Sequence, residues 1–459
     1  MTIRPELYNY DIWPKIITCG RLSKIHIAHR GIRPFAPGDY TIQIRPLSEG
    51  SPGTYPDRKG RFDVTVSPDE NNDFSFEYDF PLESEYFIRI VKDGKRVVQL
   101  SVYAVEGDLI GRYPLTGDQH MHSFCSDGSE HPAIVCANYR AIGYDYMAIT
   151  DHERYYPSLE AIDFYRDVDC WLEIIPGEEV HLPDNDIHTV NFGGKFSING
   201  LLRDRPQTRE KGESAEFRSF EGFPCPPVMS ADEYRAEVNA LIPTLNIPDG
   251  IEKFTYAACV WIFNKIRQAE GIGIFCHPYW ISDMYQVPEN ITEYMLTQHP
   301  FDAYELLGGE TVYEMNGFQT AGRNDVRAKG INFPVVGSTD SHSSYPTSPI
   351  ARVSRTITFS PENKREAILD SIRGGFTVAV DATMPEERLH GSLRLVKYAW
   401  FILRHYFALP CISGNAAEEG RLMAEYALSR CPERKKELAD RIAVLKKDFI
   451  AARDKYISF

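Results

Sequence analysis

The chain has 459 residues, which is more than one hydrophobic core usually organises, so two or three domains are expected. Its 43% apolar and 25% charged residues are ordinary for a globular protein and exclude disorder over most of the length. A net charge of −15 repels phosphate backbones and argues against nucleic acid as a partner, whereas a local positive site such as a metal cluster would still accept a small anionic substrate.

The sequence does not carry the marks of a secreted or membrane protein. The first residues, MTIRPELYNYDIWPKI, have no uninterrupted apolar core of the kind found in a signal peptide. The nine cysteines show neither even pairing nor C-x-x-C spacing. The apolar stretch from Leu393 to Phe407 contains three basic residues and is too short to cross a bilayer. We therefore expect a cytoplasmic protein without a membrane partner.

Alternating apolar residues predict an N-terminal antiparallel β-sandwich over residues 1–112. Between about Lys24 and Val105 the apolar positions recur with the period of a strand, and glycine and proline separate the runs. Lys92–Lys95 offers a hairpin turn. The predicted strand runs are Tyr40-Ile42-Ile44, Phe62-Val64-Val66, Phe74-Phe76-Tyr78, Tyr86-Ile88-Ile90 and Val98-Leu100-Val102.

Short apolar strands then alternate with helical stretches, which predicts repeated βα units in a second domain at 113–390. Ser129 is placed to cap a helix that stops at Gly143. A helical pattern from Tyr256 to Glu270 precedes a further strand at Gly271–Cys276. The pattern is typical of an α/β protein.

Two segments depart from this alternation. Residues 203–250 include a charged, proline-containing stretch with little periodicity, which predicts a surface insertion, either a plain loop or a lid over a site. Residues 391–459 are rich in helix formers, and the part from Glu433 to Tyr456 after Pro432 reads as an amphipathic helix. We therefore expect a helical C-terminal region.

Two histidines and an aspartate form the first chemical motif. His120 and His122 are two positions apart, so in an extended strand both imidazoles lie on one face and can hold one metal ion. Asp127 follows beside Gly128, where a tight turn can bring its carboxylate back toward them. A lone His-x-His is weak evidence because surface strands produce it by chance.

The same order of an apolar strand followed by His, Asp or Glu recurs along the chain. The loops after strand ends build the active site in α/β barrels, so these positions are where chemistry is expected. A single histidine is more often structural, but six of the thirteen histidines fall in the first motif and these later ones together. The motifs are Thr150-Asp151-His152, Gly177-Glu178-Glu179, Ile187-His188, Cys276-His277-Pro278 and Ser338-Thr339-Asp340-Ser341-His342.

As an ordered set these motifs resemble the polymerase and histidinol phosphatase (PHP) superfamily. The resemblance covers roughly Leu115 to Val380. It implies a distorted (β/α)7-type barrel, preceded here by the β-sandwich and followed by the helical tail. Those flanking parts more loosely resemble a branch that includes carbamate-cleaving hydrolases.

The resemblance also implies two or three divalent ions, with zinc, manganese or iron suited to nitrogen and oxygen ligands. Asp118 and Asp151 would orient neighbouring imidazoles from behind the ligands. The implied first ligand group is His120, His122, Glu179 and Asp340; the second is Glu179, His188 and His277; the third is Asp127, His152 and His342.

Some ligand assignments stay open. Glu178 could replace Glu179, although the family spacing from Gly177 favours Glu179. His181 could replace His188, although Ile187-His188 before an apolar strand fits better. Asp127 stands where the family often has histidine, which would weaken a third ion or favour a harder metal such as manganese.

The implied activity is hydrolysis by a hydroxide that bridges the ions, and phosphoester hydrolysis leads because several cations suit phosphoryl oxygens. Asp127 or His342 would handle the leaving-group proton. Alternatives are hydrolysis of a carbamate, ester or amide, and a non-catalytic binding protein. Oligomeric state and substrate cannot be read from the sequence. Residues near the ligands could contact substrate or simply pack: Tyr279, Trp280, Arg323, Asn324 and Tyr345.

Overall fold

The computed structural model describes residues 6–31, 33–50, 60–203, 218–281, 283–308, 313–345, 348, 350–384 and 386–459. These residues form two compact units. Unit 1 comprises Met1–Tyr113, Leu393–Asn415 and Leu445–Phe459, and unit 2 comprises Pro114–Ser392 and Ala416–Val444. The C-terminal helical region is thus divided between the two units.

In the described residues the strands are β1 Tyr10–Trp13, β2 Ile16–Thr18, β3 Leu22–His29, β4 Tyr40–Pro46, β5 Phe62–Val66, β6 Phe74–Asp79, β7 Ser84–Lys92, β8 Lys95–Val105, β9 Tyr113–Asp118, β10 Tyr146–Met147, β11 Glu173–Ile174, β12 Gly177–Leu182, β13 Asn185–Phe192, β14 Ile272–Phe275, β15 Ala303–Leu307, β16 Val335–Gly337, β17 Ser354–Ser360, β18 Thr377–Asp381, β19 Arg388–His390 and β20 Ile457–Ser458. The helices are α1 Glu6–Asn9, α2 Pro132–Ala141, α3 Tyr156–Phe164, α4 Ala231–Leu241, α5 Lys253–Gln268, α6 Glu289–Gln298, α7 Tyr313–Ala328, α8 Arg365–Arg373, α9 Leu393–His405, α10 Pro410–Leu428 and α11 Pro432–Tyr456.

Unit 1 contains two sheets, in the strand orders β1-β3-β6 and β20-β2-β8-β7-β4-β5. The period-two pattern explains them, because on β4 the residues Tyr40, Ile42 and Ile44 are buried while the intervening side chains are partly exposed. Most pairings are antiparallel, as predicted. However, β2 pairs in parallel with both β8 and β20, so residues near the two chain ends meet in one sheet.

Unit 2 contains two more sheets, in the orders β11-β10-β9-β17-β18-β19 and β12-β13-β14-β15-β16. Parallel pairs such as β9 with β10 and β14 with β15 fit the predicted βα units. Antiparallel pairs also occur, between β12 and β13 and among β17, β18 and β19. A mixed α/β architecture is confirmed, while the strands of the described residues form separate sheets and no closed barrel.

Helix α5 forms much of the core of unit 2. Trp261, Ile262, Phe263 and Ile266 are buried on it and belong to one cluster with residues of β13, β14 and β15. This core fixes the strands whose ends carry the candidate ligands. Among the helices of the described residues, none is both long enough and apolar enough to cross a membrane.

Two local predictions need correction or restriction. His131, not Ser129, is the N-cap of α2, and its side chain accepts a hydrogen bond from the Ala133 amide because Pro132 occupies the first helical position. Of the predicted insertion at 203–250, residues 204–217 lie outside the described residues. The later part contains α4, which Ser230 and Glu233 begin with a capping box.

Candidate metal centre

Glu179 lies at the middle of a group of histidines in unit 2. Its side chain is fully buried. Ring nitrogens of six histidines lie 2.6 to 3.6 Å from its carboxylate oxygens. These histidines are His120, His122, His152, His181, His188 and His277. One carboxylate cannot accept hydrogen bonds from so many imidazoles at once, so the arrangement needs another source of positive charge.

Strand alternation gives the two adjacent glutamates different surroundings. On β12, Glu178 and Glu179 point to opposite faces of the sheet. Glu178 accepts hydrogen bonds from the side chains of Asn191, Ser197 and Asn199 at 2.7 to 3.0 Å. Both of its oxygens therefore have donors away from the histidines, and Glu179 is the glutamate that lies among them.

The first ligand group follows the end of β9. His120 and His122 lie just beyond this strand, but the backbone stays extended because the His120 carbonyl accepts from the Asp340 amide and the His122 amide donates to the Ser341 carbonyl. Nε2 of His120 is 3.2 Å and Nε2 of His122 is 2.9 Å from Oδ1 of Asp340. Both rings also approach Glu179, so the four residues of this group converge.

Two residues of the groups adopt a backbone conformation that is uncommon outside glycine. His277, after β14, has φ of 22°, and Asp340, after β16, has φ of 49°. Such left-handed conformations cost on the order of 1 kcal/mol or more and persist when the surroundings impose them. The turn after each strand end brings the side chain to the cluster, so the strained backbone conformation places a candidate ligand.

The second ligand group lies on the other oxygen of Glu179. Nδ1 of His188, on β13, is 2.8 Å and Nε2 of His277 is 3.5 Å from Oε1. His181 is also present, since its Nε2 is 3.6 Å from Oε2 of Glu179. It lies where the β12 and β13 register shifts between Val180 and Leu182. The structure thus brings both histidines of the open choice to Glu179.

The third ligand group surrounds Asp127. Oδ2 of Asp127 is 3.3 Å from Nε2 of His152 and 3.3 Å from Nε2 of His342. His122 joins this group as well, with its ring centroid 4.3 Å from those of both histidines. The Asp127 side chain is 54% exposed, whereas Glu179 is fully buried. The third group is therefore the outer edge of the cluster.

Hydrogen bonds on the far side of two rings fix which nitrogen faces inward. Nδ1 of His120 lies 2.9 Å from Oε2 of Glu305, and Nδ1 of His342 lies 3.0 Å from the Asp340 carbonyl. Carboxylate and carbonyl oxygens accept, so Nδ1 carries the proton in each ring. The neutral Nε2 of each ring is then left with a lone pair toward the cluster, as a metal ligand requires.

Asp118 and Asp151 hold the backbone of the ligand-bearing loops. Asp118 accepts from the amides of His120 and Thr339, each at 3.1 Å. Asp151 accepts from the Ser123 amide at 2.8 Å and from the Ser126 amide at 3.1 Å. The sequence placed these carboxylates behind imidazoles; the described bonds go to amides and hydroxyls instead, and they fix the loops that present His120 and His122.

Unpaired polar atoms at the centre fit a cation. Among the described residues, neither oxygen of Glu179, nor Nε2 of His120, nor Nδ1 of His188 forms a hydrogen bond of acceptable geometry. Burial lowers the pKa of His122 and His188 to about 4, so both rings are neutral near neutral pH. Burial alone would raise the pKa of Glu179, but His188, His152 and His120 hold it well below its usual range. Although burial lowers it, the pKa of His120 is raised by Asp340 and Glu179, and that of His152 is raised to about 10 by Glu179 and Asp127. These two rings would therefore release a proton when a divalent ion binds, and the cluster as a whole is a donor set for such ions.

Sequence reasoning missed Glu305. It is fully buried on β15 and forms one group with His120 and Cys276, whose ligand atoms lie within 4.8 Å of one another. A usable signal was present, because Glu305 is a lone carboxylate in the apolar run Ala303–Leu307. Arg323, in contrast, is buried on α7 and its pKa falls to about 10 through burial and the neighbouring Arg327. It does not line the cavity beside the cluster, although Trp280 does.

No family model and no curated protein matches the sequence. Among solved structures, the chain is similar to a two-domain protein from Bacteroides vulgatus described as containing a predicted PHP-like metal-dependent phosphoesterase. That similarity has 16% identity and a TM-score of 0.36, and it covers 60% of this chain and 67% of that one.

Two further structures are similar to the chain. One, from Bifidobacterium adolescentis, is provisionally described as a metal-dependent phosphoesterase; it has 17% identity and a TM-score of 0.31, over 50% of this chain and 90% of that one. The other is an amidohydrolase from Chromobacterium violaceum with bound sulfate and no metal; it has 16% identity and a TM-score of 0.29, over 51% and 90%.

Proposed function

We propose that the chain is a metal-dependent hydrolase of the PHP type that acts on phosphate esters. One observation carries the proposal: Glu179 is a fully buried carboxylate with ring nitrogens of six histidines within 3.6 Å. Such a set has no stable arrangement of protons that satisfies every ring, whereas divalent cations would satisfy both the carboxylate and the imidazoles.

The three ligand groups would hold up to three ions. Glu179 would be shared by the first and second groups, and His122 lies within reach of both the first and the third. Bound divalent ions would supply Lewis acidity that lowers the pKa of water and stabilises charge on the oxygens of an ester. The mixture of imidazole and carboxylate suits zinc, manganese or iron.

Residues at the outer edge would handle the proton of the leaving group. Asp127 is the most exposed carboxylate of the groups, and His342 lies 3.3 Å from it. Because Nδ1 of His342 lies 3.0 Å from a carbonyl oxygen, the ring is held in one orientation beside Asp127. Although burial raises it, hydrogen bonds from His152 and His342 hold the pKa of Asp127 below its usual range. We therefore assign leaving-group protonation to the His342 ring, positioned by Asp127, in a state in which neither residue ligates a third ion.

A substrate panel tests the proposal. Purified full-length protein is loaded with manganese and assayed on a phosphomonoester, a phosphodiester and a naphthyl carbamate, with Glu179→Gln as the inactive comparison. We expect turnover of a phosphate ester that chelation abolishes and added manganese restores. Turnover of the carbamate alone would overturn the assignment to phosphate esters. Less than one equivalent of transition metal after chelator-free purification would contradict the proposal that the chain is a metal-dependent hydrolase.

A further inference from the structure

Unit 1 contains a cavity of about 370 Å³. The residues that line it all belong to unit 1, whereas the candidate metal centre is in unit 2. Its volume suits a small organic molecule rather than a polymer, and its wall combines charged, amide and apolar side chains as ligand sites do. The residues that matter below are Glu6, Tyr10, Arg33, Arg96, Val97 and Gln99.

A β-bulge brings consecutive side chains of β8 into this wall. Arg96 pairs with Val91 of β7. The adjacent residue of β7, Ile90, pairs with Val98, so Val97 is an extra residue without a partner on β7. Successive side chains of a regular strand point to opposite faces, whereas a bulge re-aims them. Four consecutive residues of β8 therefore line one cavity.

Two arginines supply positive charge to the cavity. Arg33 and Arg96 both line it, and both are exposed. Within the part of the chain that the structure describes, neither guanidinium has a carboxylate within 4 Å. A guanidinium is permanently charged and offers paired donors that match carboxylate and phosphoryl oxygens. An anion in this cavity would therefore meet two guanidiniums that no carboxylate of the described residues occupies.

Gln99 adds a neutral hydrogen-bond donor to the same wall. Its Oε1 accepts from Nε of Arg89 at 2.9 Å, and Nη1 of Arg96 lies 3.5 Å from the same oxygen. Because the oxygen faces the guanidiniums, the amide nitrogen of Gln99 keeps its two donors for a ligand. Burial and the charges of Arg96 and Arg45 lower the pKa of Arg89, so positive charge is concentrated on this side of the cavity.

The wall also has an apolar part. Val97 is 45% exposed, as its position at the bulge explains. Tyr10 is buried on β1, and its ring stacks on that of Phe35 with the centroids 4.9 Å apart. The Tyr10 ring is therefore fixed by packing, whereas Val97 offers apolar area that is open to solvent. A ligand with an apolar group would remove this area from water.

Glu6 limits the charge of the ligand. It lines the same cavity, and among the described residues no ion pair joins it to Arg33 or Arg96. Two guanidiniums and one carboxylate give the wall one net positive charge. A monoanion would neutralise this charge, whereas a dianion would place an excess negative charge near Glu6. The wall therefore favours a carboxylate over a dianion such as sulfate.

We infer that this cavity binds a small organic carboxylate that carries an apolar group. Arg33 and Arg96 contact the carboxylate, and Val97 covers the apolar group. The inference goes beyond the proposed function and is independent of it, because every residue that it uses lies in unit 1. It gives unit 1 a ligand site of its own.

Saturation-transfer NMR on the full-length protein tests the inference, with benzoate as the probe and acetate and sulfate as competitors. We expect benzoate to bind about 10-fold more tightly than acetate, because benzoate alone buries apolar area against Val97. Sulfate should displace benzoate less well than acetate does. Arg33→Gln and Arg96→Gln should each weaken benzoate by about 10-fold, because a charge-assisted contact is lost.

Two further variants test the apolar part and the charge limit separately. Val97→Ser should reduce only the preference for benzoate over acetate. Glu6→Gln should strengthen the binding of sulfate more than that of benzoate, because the electrostatic energy scales with the charge of the ligand. This change is a gain of binding, which a variant that fails to fold would not produce.

Controls separate this cavity from the metal centre. Arg166→Gln changes an exposed arginine that pairs with Asp163, and it should leave all affinities unchanged. Each titration is repeated with chelator and with manganese, since benzoate held at the metal centre would depend on manganese and not on Arg33. The inference is overturned if wild-type protein does not bind benzoate, if both arginine variants bind it normally, or if sulfate binds more tightly than benzoate.

Discussion

Glu305 lies 2.9 Å from Nδ1 of His120, on the side of that ring away from Glu179. Both residues are fully buried, and 185 positions separate them in the chain. The contact fixes the orientation of the His120 ring and its tautomer. Glu305 therefore supports the first ligand group through its contact with His120 alone.

Glu305→Ala should weaken metal binding by about 10- to 100-fold, the usual effect of removing a partner behind a ligating histidine. Metal affinity is measured by competition with a fluorescent chelator. Glu305→Gln should lose less, because an amide oxygen still accepts from Nδ1. Glu362→Ala removes an exposed glutamate and serves as the control. Unchanged affinity in Glu305→Ala would show that the ring needs no such support.

Substitutions at Glu179 and Asp127 should remove different numbers of ions. Glu179→Gln keeps the shape of the side chain but removes the negative charge that the first and second ligand groups share. The metal content should therefore fall close to zero. Asp127→Asn touches only the third group and should cost about one equivalent. Elemental analysis after gel filtration measures both, with Asp163→Asn as a surface control. Complete metal loss in Asp127→Asn would contradict a separate third group.

Gly128→Ala should disturb His122 without changing any candidate ligand. A Cβ at this position would lie 2.7 Å from the backbone carbon and oxygen of His122, which cannot move cheaply. Because His122 lies in both the first and third groups, we expect metal affinity to fall in both. Gly317→Ala is the matched control. A Cβ there meets nothing within 4 Å, and this helical substitution should stabilise the fold by about 0.5 to 1 kcal/mol.

Removal of Glu419 should destabilise unit 2 strongly. Its Oε2 accepts from Nε of Arg140 at 2.6 Å, and both side chains are fully buried. Without Glu419, Arg140 keeps Asp145 but loses its shortest partner, so Glu419→Ala should cost about 3 to 5 kcal/mol in denaturant unfolding. The neighbouring Glu418 is exposed and pairs with Arg421 on the surface, so Glu418→Ala should cost less than about 1 kcal/mol. Equal costs would contradict this difference.

Because of Lys15 in unit 1, the free energy of unfolding should increase as the pH rises into the mildly alkaline range. It is fully buried, 4.0 Å from Asp11, and burial lowers its pKa to about 8. Between this pKa and the ordinary value near 10.5, the unfolded chain binds more protons than the folded one, so stability increases with pH. Below about pH 8 the folded state bears the full cost of the buried charge.

The test compares the wild-type protein with Lys15→Met by denaturant unfolding at several pH values from 7 to 10. The wild-type protein should gain stability relative to the variant across this range, by at most about 3 kcal/mol. Other titrating groups are common to both proteins and cancel in the difference. A difference independent of pH would mean that Lys15 keeps an ordinary pKa.

The parts of the site predicted from sequence are those set by local periodicity. His120 and His122 share a face because two-residue spacing in extended backbone requires it, even though β9 ends before them. The same alternation separates Glu178 from Glu179. The ligand-bearing positions after β14 and β16 could likewise be recognised from an apolar run followed by a polar residue.

The parts that escaped prediction depend on contacts between distant residues. No local pattern links Glu305 to His120, and none links β20 to β2, which it joins in a parallel pair. The antiparallel pairing of β12 with β13 was missed because a short apolar run does not reveal the direction of its partner. The sequence favours His188 over His181 because Ile187-His188 precedes an apolar strand, whereas the register shift at His181 leaves no mark in the sequence.

Asp118 and Asp151 accept amide and hydroxyl hydrogens of the loops that present His120 and His122, and these bonds form with protein donors alone. The conformational entropy of those loops is therefore lost when the polypeptide folds, not when a cation binds. A cation would then meet a receptor that is already shaped, and its departure would leave the surrounding architecture intact.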